Sequence, residues 1–171
     1  MHLSISPFGI GFERRPVASQ TISLAPSASA TLSFPLSRAD VAGDARIGVH
    51  IRIEHPHDPN RINNSGSQVL AASRTSVSGR RLALDIPVHN LAAVARRISL
   101  RVLAGDLVAA VEPASRSFAP RETGTVRLRT EVPATIVATP DHRTRRHVTV
   151  IAALDDGALV GGVTQLIVID A

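Results

Sequence analysis

The stretch RIGVHIRIEH, Arg46 to His55, does most to constrain what this chain can fold into. It sets Ile47, Val49, Ile51 and Ile53 on one side of an extended backbone and Gly48, His50, Arg52 and Glu54 on the other. A helix would scatter those residues around its axis, whereas a strand buries one side and wets the other. The same period of two recurs at Leu32-Phe34-Leu36, Leu82-Leu84-Ile86-Val88, Ile98-Leu100-Val102, Val126-Leu128 and Val148-Val150, with a last strand expected from about Val163 to Ile169. Pro, Gly, Ser, Asn and Asp fill the gaps, as turns require. In LDDGALV, Asp156-Gly157 is placed for the positive backbone angles of a hairpin turn, and Gly161-Gly162 implies a bulge. The segment Asn90 to Pro113 also fits a helix, with Leu91, Val94, Ala95 and Ile98 on one stripe. The alternation of Ile98, Leu100 and Val102, with Gly105 as an interruption, favours strand, turn, strand, and leaves room for a short helical turn near Ala92 to Ala95. The expected class is all-β.

The apolar share, 44%, is that of a folded protein. Its core must come from Val, Leu, Ile and Ala, because the aromatic side chains are Phe8, Phe12, Phe34 and Phe118 alone. That disfavours sugar-binding faces and single-strand nucleic-acid platforms, which stack their ligands on aromatic rings. The net charge is +5 and every basic residue is Arg. Arginine throughout, with abundant Ala and Val, matches a GC-rich coding bias, so nucleic acid is not expected as a partner. Cysteine is absent, which removes disulfides and thiolate chemistry. The N-terminus lacks the pattern of a signal peptide, and no apolar run is long enough to span a membrane. Localisation is left open: cytoplasmic if Met1 is the native start, extracellular or envelope if the chain is a fragment.

A weak internal repeat organises the chain. ISLAPSASATLSFPL, from Ile22, resembles RSFAPRETGTVRLRT, from Arg116; each has Ala-Pro, a polar turn and a new strand. Downstream, VHIRIEHPHD corresponds to VTVIAALDDG, and NNSGSQVLA to VGGVTQLIV. Two copies imply tandem β-sandwiches: a short first domain over 1–74, a linker over 75–81 and a second domain over 82–171. The first copy has less sequence ahead of its Ala-Pro turn. It is therefore expected to lack one or two leading strands, being either a minimal sandwich or one that a neighbour completes.

HPHDPNRINNSGSQVL resembles the end of bacterial immunoglobulin-like adhesion-type domains, where an Asp-Pro-x-x-x-Asn-Asn stretch leads into the last strand. SFAPRETGTVRLRTEVP with HVTVIAALDDGALVGGVTQLIVI is similar to immunoglobulin-like modules appended to bacterial secreted hydrolases; Arg121-Glu122 stands where those often carry Gly-Glu. The resemblance implies two immunoglobulin-like sandwiches that act as spacers, adhesion units or enzyme-associated modules.

Chemistry is hard to find. His55, His57, Asp58, Asn60, Asn63 and Asn64 are dense, but two prolines stiffen the path and the ligand set suits neither calcium nor zinc. The stretch reads as a strand exit fixed by Pro56 and Pro59, with Asx-type hydrogen bonds from Asp58 and Asn60. There is no Gly-x-Ser-x-Gly elbow, HExxH, phosphate loop or dinucleotide fingerprint. No catalytic residue, metal or other cofactor is expected, and no small-molecule substrate. Arg127 and Arg129 share an outer strand face with Glu131, a pattern that discourages edge pairing more often than it binds acid. The leading expectation is a non-catalytic module that presents loops and edge strands to a protein partner or to a second copy by strand addition. The candidate partner-binding edge is Ile47, Val49, Ile51, Ile53, Val69 and Leu70, with LSISPFGIGF near the N-terminus as a candidate donor, folding back or swapping. The alternatives are a hydrolase-associated domain, or small hydrolase, built on His50, His55 or His57 with a carboxylate, and a polyanion binder using arginine faces.

Overall fold

A computed structural model of the chain describes residues 1–37, 39–40, 46–58, 64–69, 72–76, 81–136 and 144–170, with backbone only for 65–69, 72–76 and 170. All regular structure among them is β, and no helix is long and apolar enough to cross a membrane. The N-terminal part forms one antiparallel sheet from β1 (His2–Pro7), β2 (Arg15–Ser19), β3 (Ile47–Arg52) and β4 (Ser65–Val69), in the order β2-β1-β3-β4. The rest builds two sheets from β5 (Ala72–Ser76), β6 (Arg81–His89), β7 (Arg96–Leu103), β8 (Val108–Glu112), β9 (Ser115–Phe118), β10 (Thr123–Glu131), β11 (Thr144–Leu154) and β12 (Leu159–Asp170). Their orders are β6-β10-β8 and β5-β12-β11-β7-β9; β5 lies parallel to β12 and the remaining pairs are antiparallel.

The two later sheets share one core. β10 alternates without a break: Gly124, Val126, Leu128 and Thr130 are buried and the residues between them exposed. They meet Ile98, Val148, Val150, Ile167 and Ile169 from the five-stranded sheet, with Phe118 fully enclosed. The Asn90–Pro113 segment is strand, turn, strand, and its start bends without forming a helix. The buried Asn90 side chain donates to the carbonyls of Val94 and Ala119 (both 2.8 Å) and accepts from Ala92 N–H at 3.1 Å, holding the bend open. Gly157 has φ +84° in the β11–β12 hairpin, and the register slips opposite Gly161, so the bulge falls where expected.

The internal repeat has a structural counterpart. Both Ala-Pro turns close by a backbone bond from residue four to residue one, Ala28 N to Ala25 O at 3.0 Å and Glu122 N to Ala119 O at 3.2 Å. Both put a non-glycine residue at positive φ after the proline, Ser27 at 63° and Arg121 at 58°, as in a type II turn. The hairpins that follow also share a register: Val49 faces Gln68 as Val148 faces Gln165. The order β1-β3-β4 thus repeats β7-β11-β12.

The facing sheet does not repeat. Among the described residues the first copy has no strands matching β6 and β8, and a second four-residue-or-longer ladder layer over β1 and β3 is missing. Thr31 to Leu36, the counterpart of β10, keeps the expected alternation, with Leu32, Phe34 and Leu36 half-buried and the residues between exposed, yet joins no ladder. Among the described residues, then, there is one pair of sheets sharing a core and one further sheet, and a second sandwich is not seen. Ala72 to Ser76 pair with β12 inside the C-terminal sheet, so the change of sheet falls between β4 and β5.

Candidate functional site

The residues expected to form a binding edge lie elsewhere. β3 is paired on both sides, with β1 from Ile47 to Arg52 and with β4 from Gly48 to Arg52. Ile47, Val49 and Ile51 thus belong to an interior strand, because the N-terminal strand that was read as a donor occupies the place beside it. Val69 ends the outermost strand, β4, and Leu70 lies outside the described residues.

What β3 offers is a face. Its counterparts are core: Val150 and Ala152, which match Ile51 and Ile53 in the repeat, are fully buried, while Ile51 is 37% and Ile53 45% exposed. Leu24, which matches the enclosed Phe118, is 48% exposed. The same apolar positions are laid down in both copies, but among the described residues the layer that would cover them is present in one.

The N-terminal LSISPFGIGF segment does fold back, as strand and as peg. After β1 its chain crosses to the sandwich, where Ile10 N–H donates to Pro87 O at 2.9 Å and His89 N–H to Ile10 O at 2.8 Å. Ile10 is 1% exposed and joins the sandwich core with Phe8. Gly11, at φ +80°, is needed there, since a side chain on it would run into the carbonyl of His89.

Between the N-terminal sheet and the five-stranded sheet lies a cleft of about 930 Å³, with Ser6 and His50 on one wall and Thr149 and Thr164 on the other. Gly48 makes the first wall, as a Cβ there would stand 2.7 Å from Ser6 Oγ and 3.1 Å from His50 Nε2. Ser6 Oγ lies 3.0 Å from His50 Nε2 and donates its proton to Pro7 O at 3.1 Å. Burial, helped by the nearby Arg14 guanidinium, pulls the His50 imidazole down to about 4. The buried Nδ1 has no partner. Glu13 and Arg14 line the same cleft beside the pair.

His2 meets a carboxylate, with Nε2 3.2 Å from Glu54 and Nδ1 2.8 Å from Ser19 Oγ. The three residues are exposed and tie β2, β1 and β3 together across the sheet. His55 and His57 pack edge to face on a solvent-facing turn closed by Asp58 N–H on His55 O. Asn60 and Asn63 lie outside the described residues, and among the described residues no three metal-ligating side chains gather. The arginine face is balanced: Arg127 grips Asp85 at 2.7 and 3.1 Å, Arg129 reaches Glu112 at 3.2 Å and Arg81 Glu131 at 3.4 Å. That mutual hold lowers the Asp85 pKa and leaves the face little surplus charge for a polyanion.

No protein-family model matches the chain, and no curated protein does. Among solved structures it is similar to the Pseudomonas aeruginosa CupB2 chaperone, over 56% of this chain and 52% of that one, at 11% identity and a TM-score of 0.39. The chain spans about half the length of that chaperone chain.

Proposed function

We propose that this chain is a non-catalytic protein-interaction module, a complete immunoglobulin-like sandwich joined to an incomplete one, that binds a protein partner through the uncovered face of its N-terminal sheet. The observation that carries this is the contrast between equivalent positions: Leu24, Ile51 and Ile53 are open where Phe118, Val150 and Ala152 are core. A sheet with one apolar face is stable when that face is covered, and an apolar area left open beside a folded sandwich suits a partner better than water. Strand addition is the natural mode, because an extended segment with alternating apolar residues fits a pleated face and a free strand together.

The test pairs the intact chain with a double variant, Ile51→Ser with Ile53→Ser, both on exposed positions. An apolar reporter dye such as bis-ANS should brighten on the parent and lose most of that signal on the variant, with the far-ultraviolet spectrum unchanged. Equal dye signals would sink the reading. Light scattering behind a sizing column, across a concentration series, then separates self-association from a search for another protein.

A further inference from the structure

We infer that the partner adds a single β-strand along Leu32 to Leu36, on the side that β6 occupies beside β10, and that this strand alternates branched apolar residues as β6 does. The inference rests on the interaction reading above and specifies its occupant.

Leu32, Phe34 and Leu36 stand where Val126, Leu128 and Thr130 stand in the second copy. There, β10 is flanked by β6 through Val126↔Ile86 and Leu128↔Leu84, and by β8 through Arg127↔Glu112 and Arg129↔Ala110. Backbone N–H and C=O groups point alternately to the two sides of a strand. Ile10 docks on Pro87 O and His89 N, so the odd residues of β6 face outward and the even ones face β10. With no slip in the register, the even residues of β10 face β6 and the odd ones face β8. Carried to the first copy, Leu32, Phe34 and Leu36 direct their backbone groups to the β6 side, and Thr31, Ser33 and Pro35 to the β8 side.

The two sides are unequal. On the β8 side Pro35 has no N–H, and the carbonyl of Ser33 is already taken by the Gln20 side-chain amide at 3.1 Å. On the β6 side no such block exists, and Leu32, Phe34 and Leu36 have no backbone partner among the described residues. The segment is also held in place. Gln20 fastens it near its middle, and beyond it Asp40 accepts from Ser37 N–H at 2.9 Å and from Arg15 at 2.6 Å. A strand presented in this way asks for a partner of defined chemistry. In the second copy the neighbour is RLALDIPVH, with Leu82, Leu84, Ile86 and Val88 facing the core. In the first copy, Ile51 and Ile53 are left for the same kind of side chain to cover. The described strands of this chain with such a pattern are already in ladders, so a different protein is the occupant.

The probe is a synthetic peptide with the sequence of Arg81 to His89, beside a peptide of the same composition in which the alternation is broken. Amide hydrogen exchange of the full chain is read by NMR. The ordered peptide should slow exchange about tenfold at Leu32, Phe34 and Leu36 and leave Ser33 unchanged, and the permuted peptide should do neither. No slowing at those three amides under saturating peptide overturns the inference, as does equal slowing at Ser33. Slowing at the three that grows with protein concentration alone would make a second copy the occupant and overturn the assignment to another protein. If the three amides stay fast while Ile51→Ser with Ile53→Ser still abolishes dye binding, the interaction reading stands and the strand assignment falls.

Discussion

The same turn, the same alternation and the same hairpin register occur twice in this chain, and they end in different structures. After Ala119-Pro120 the chain enters β10, buried between two neighbours at the heart of a sandwich. After Ala25-Pro26 it runs through Leu32, Phe34 and Leu36 without joining a ladder. Local sequence therefore decides the turn and which side chains face inward, and pairing depends on strands elsewhere in the chain. Without neighbours like β6 and β8, the β10-like segment keeps its alternation and joins no ladder.

The contrast breaks most sharply at equivalent apolar positions. Phe118→Ala should cost about 4 kcal/mol in urea unfolding, since it empties a fully enclosed site, whereas Leu24→Ala should cost under about 1 kcal/mol. A similar loss at both would show that the first copy closes a core of its own. Ile10→Ala removes the peg between the two parts and should cost about 3 kcal/mol. It should also raise proteolysis near Gly9 and Gly11 in a limited digest; an unchanged digest would mean the N-terminal sheet is held by other contacts. Gly48→Ala should destabilise by about 2 kcal/mol through crowding of Ser6 and His50, with NMR shifts confined to the N-terminal sheet.

Acid should separate the two parts as well. The His50 imidazole takes a proton near 6.5 in the unfolded chain and near 4 in the fold, where burial and Arg14 disfavour the charge. Between those values the unfolded state binds more protons, so this contribution to stability falls as the pH drops from 6.5 and levels off below about 4. Melting curves of His50→Gln should lack that part of the slope; an identical slope would place the acid sensitivity elsewhere. The smallest effect is expected at the arginine face. Asp85→Asn should leave the melting midpoint nearly unchanged, because exposed ion pairs contribute little.

Much of the fold was legible in the sequence. β6, β7, β10, β11 and β12 follow from period-two runs, and Gly105 and Gly157 mark their turns. The strand-turn-strand reading of Asn90 to Pro113 also stands, since Ile98 and Leu100 bury as alternation requires. The site was half legible. The expected edge of Ile47, Val49, Ile51, Ile53, Val69 and Leu70 includes Ile51 and Ile53, which are open, and Ile47, which is buried. β3 is an interior strand, because LSISP pairs beside it, a long-range pairing that the short alternation of Leu3 and Ile5 only hints at. His50 stood out in the sequence as a candidate beside a carboxylate, but its partner Ser6 and the Gly48 between them did not; 44 residues separate Ser6 from His50, and register alone brings them together.

By itself the sequence determined the period of the longer strands and the chemistry of the turns, because these are set by neighbours within a few residues. Tertiary structure decided which strands have partners, where Ile10 inserts, and which copy has a covered core. Those outcomes rest on hydrogen bonds and buried area between residues far apart in the chain. That is why one pattern of Leu, Val and Ile becomes the inside of a sandwich in one half and an open face in the other.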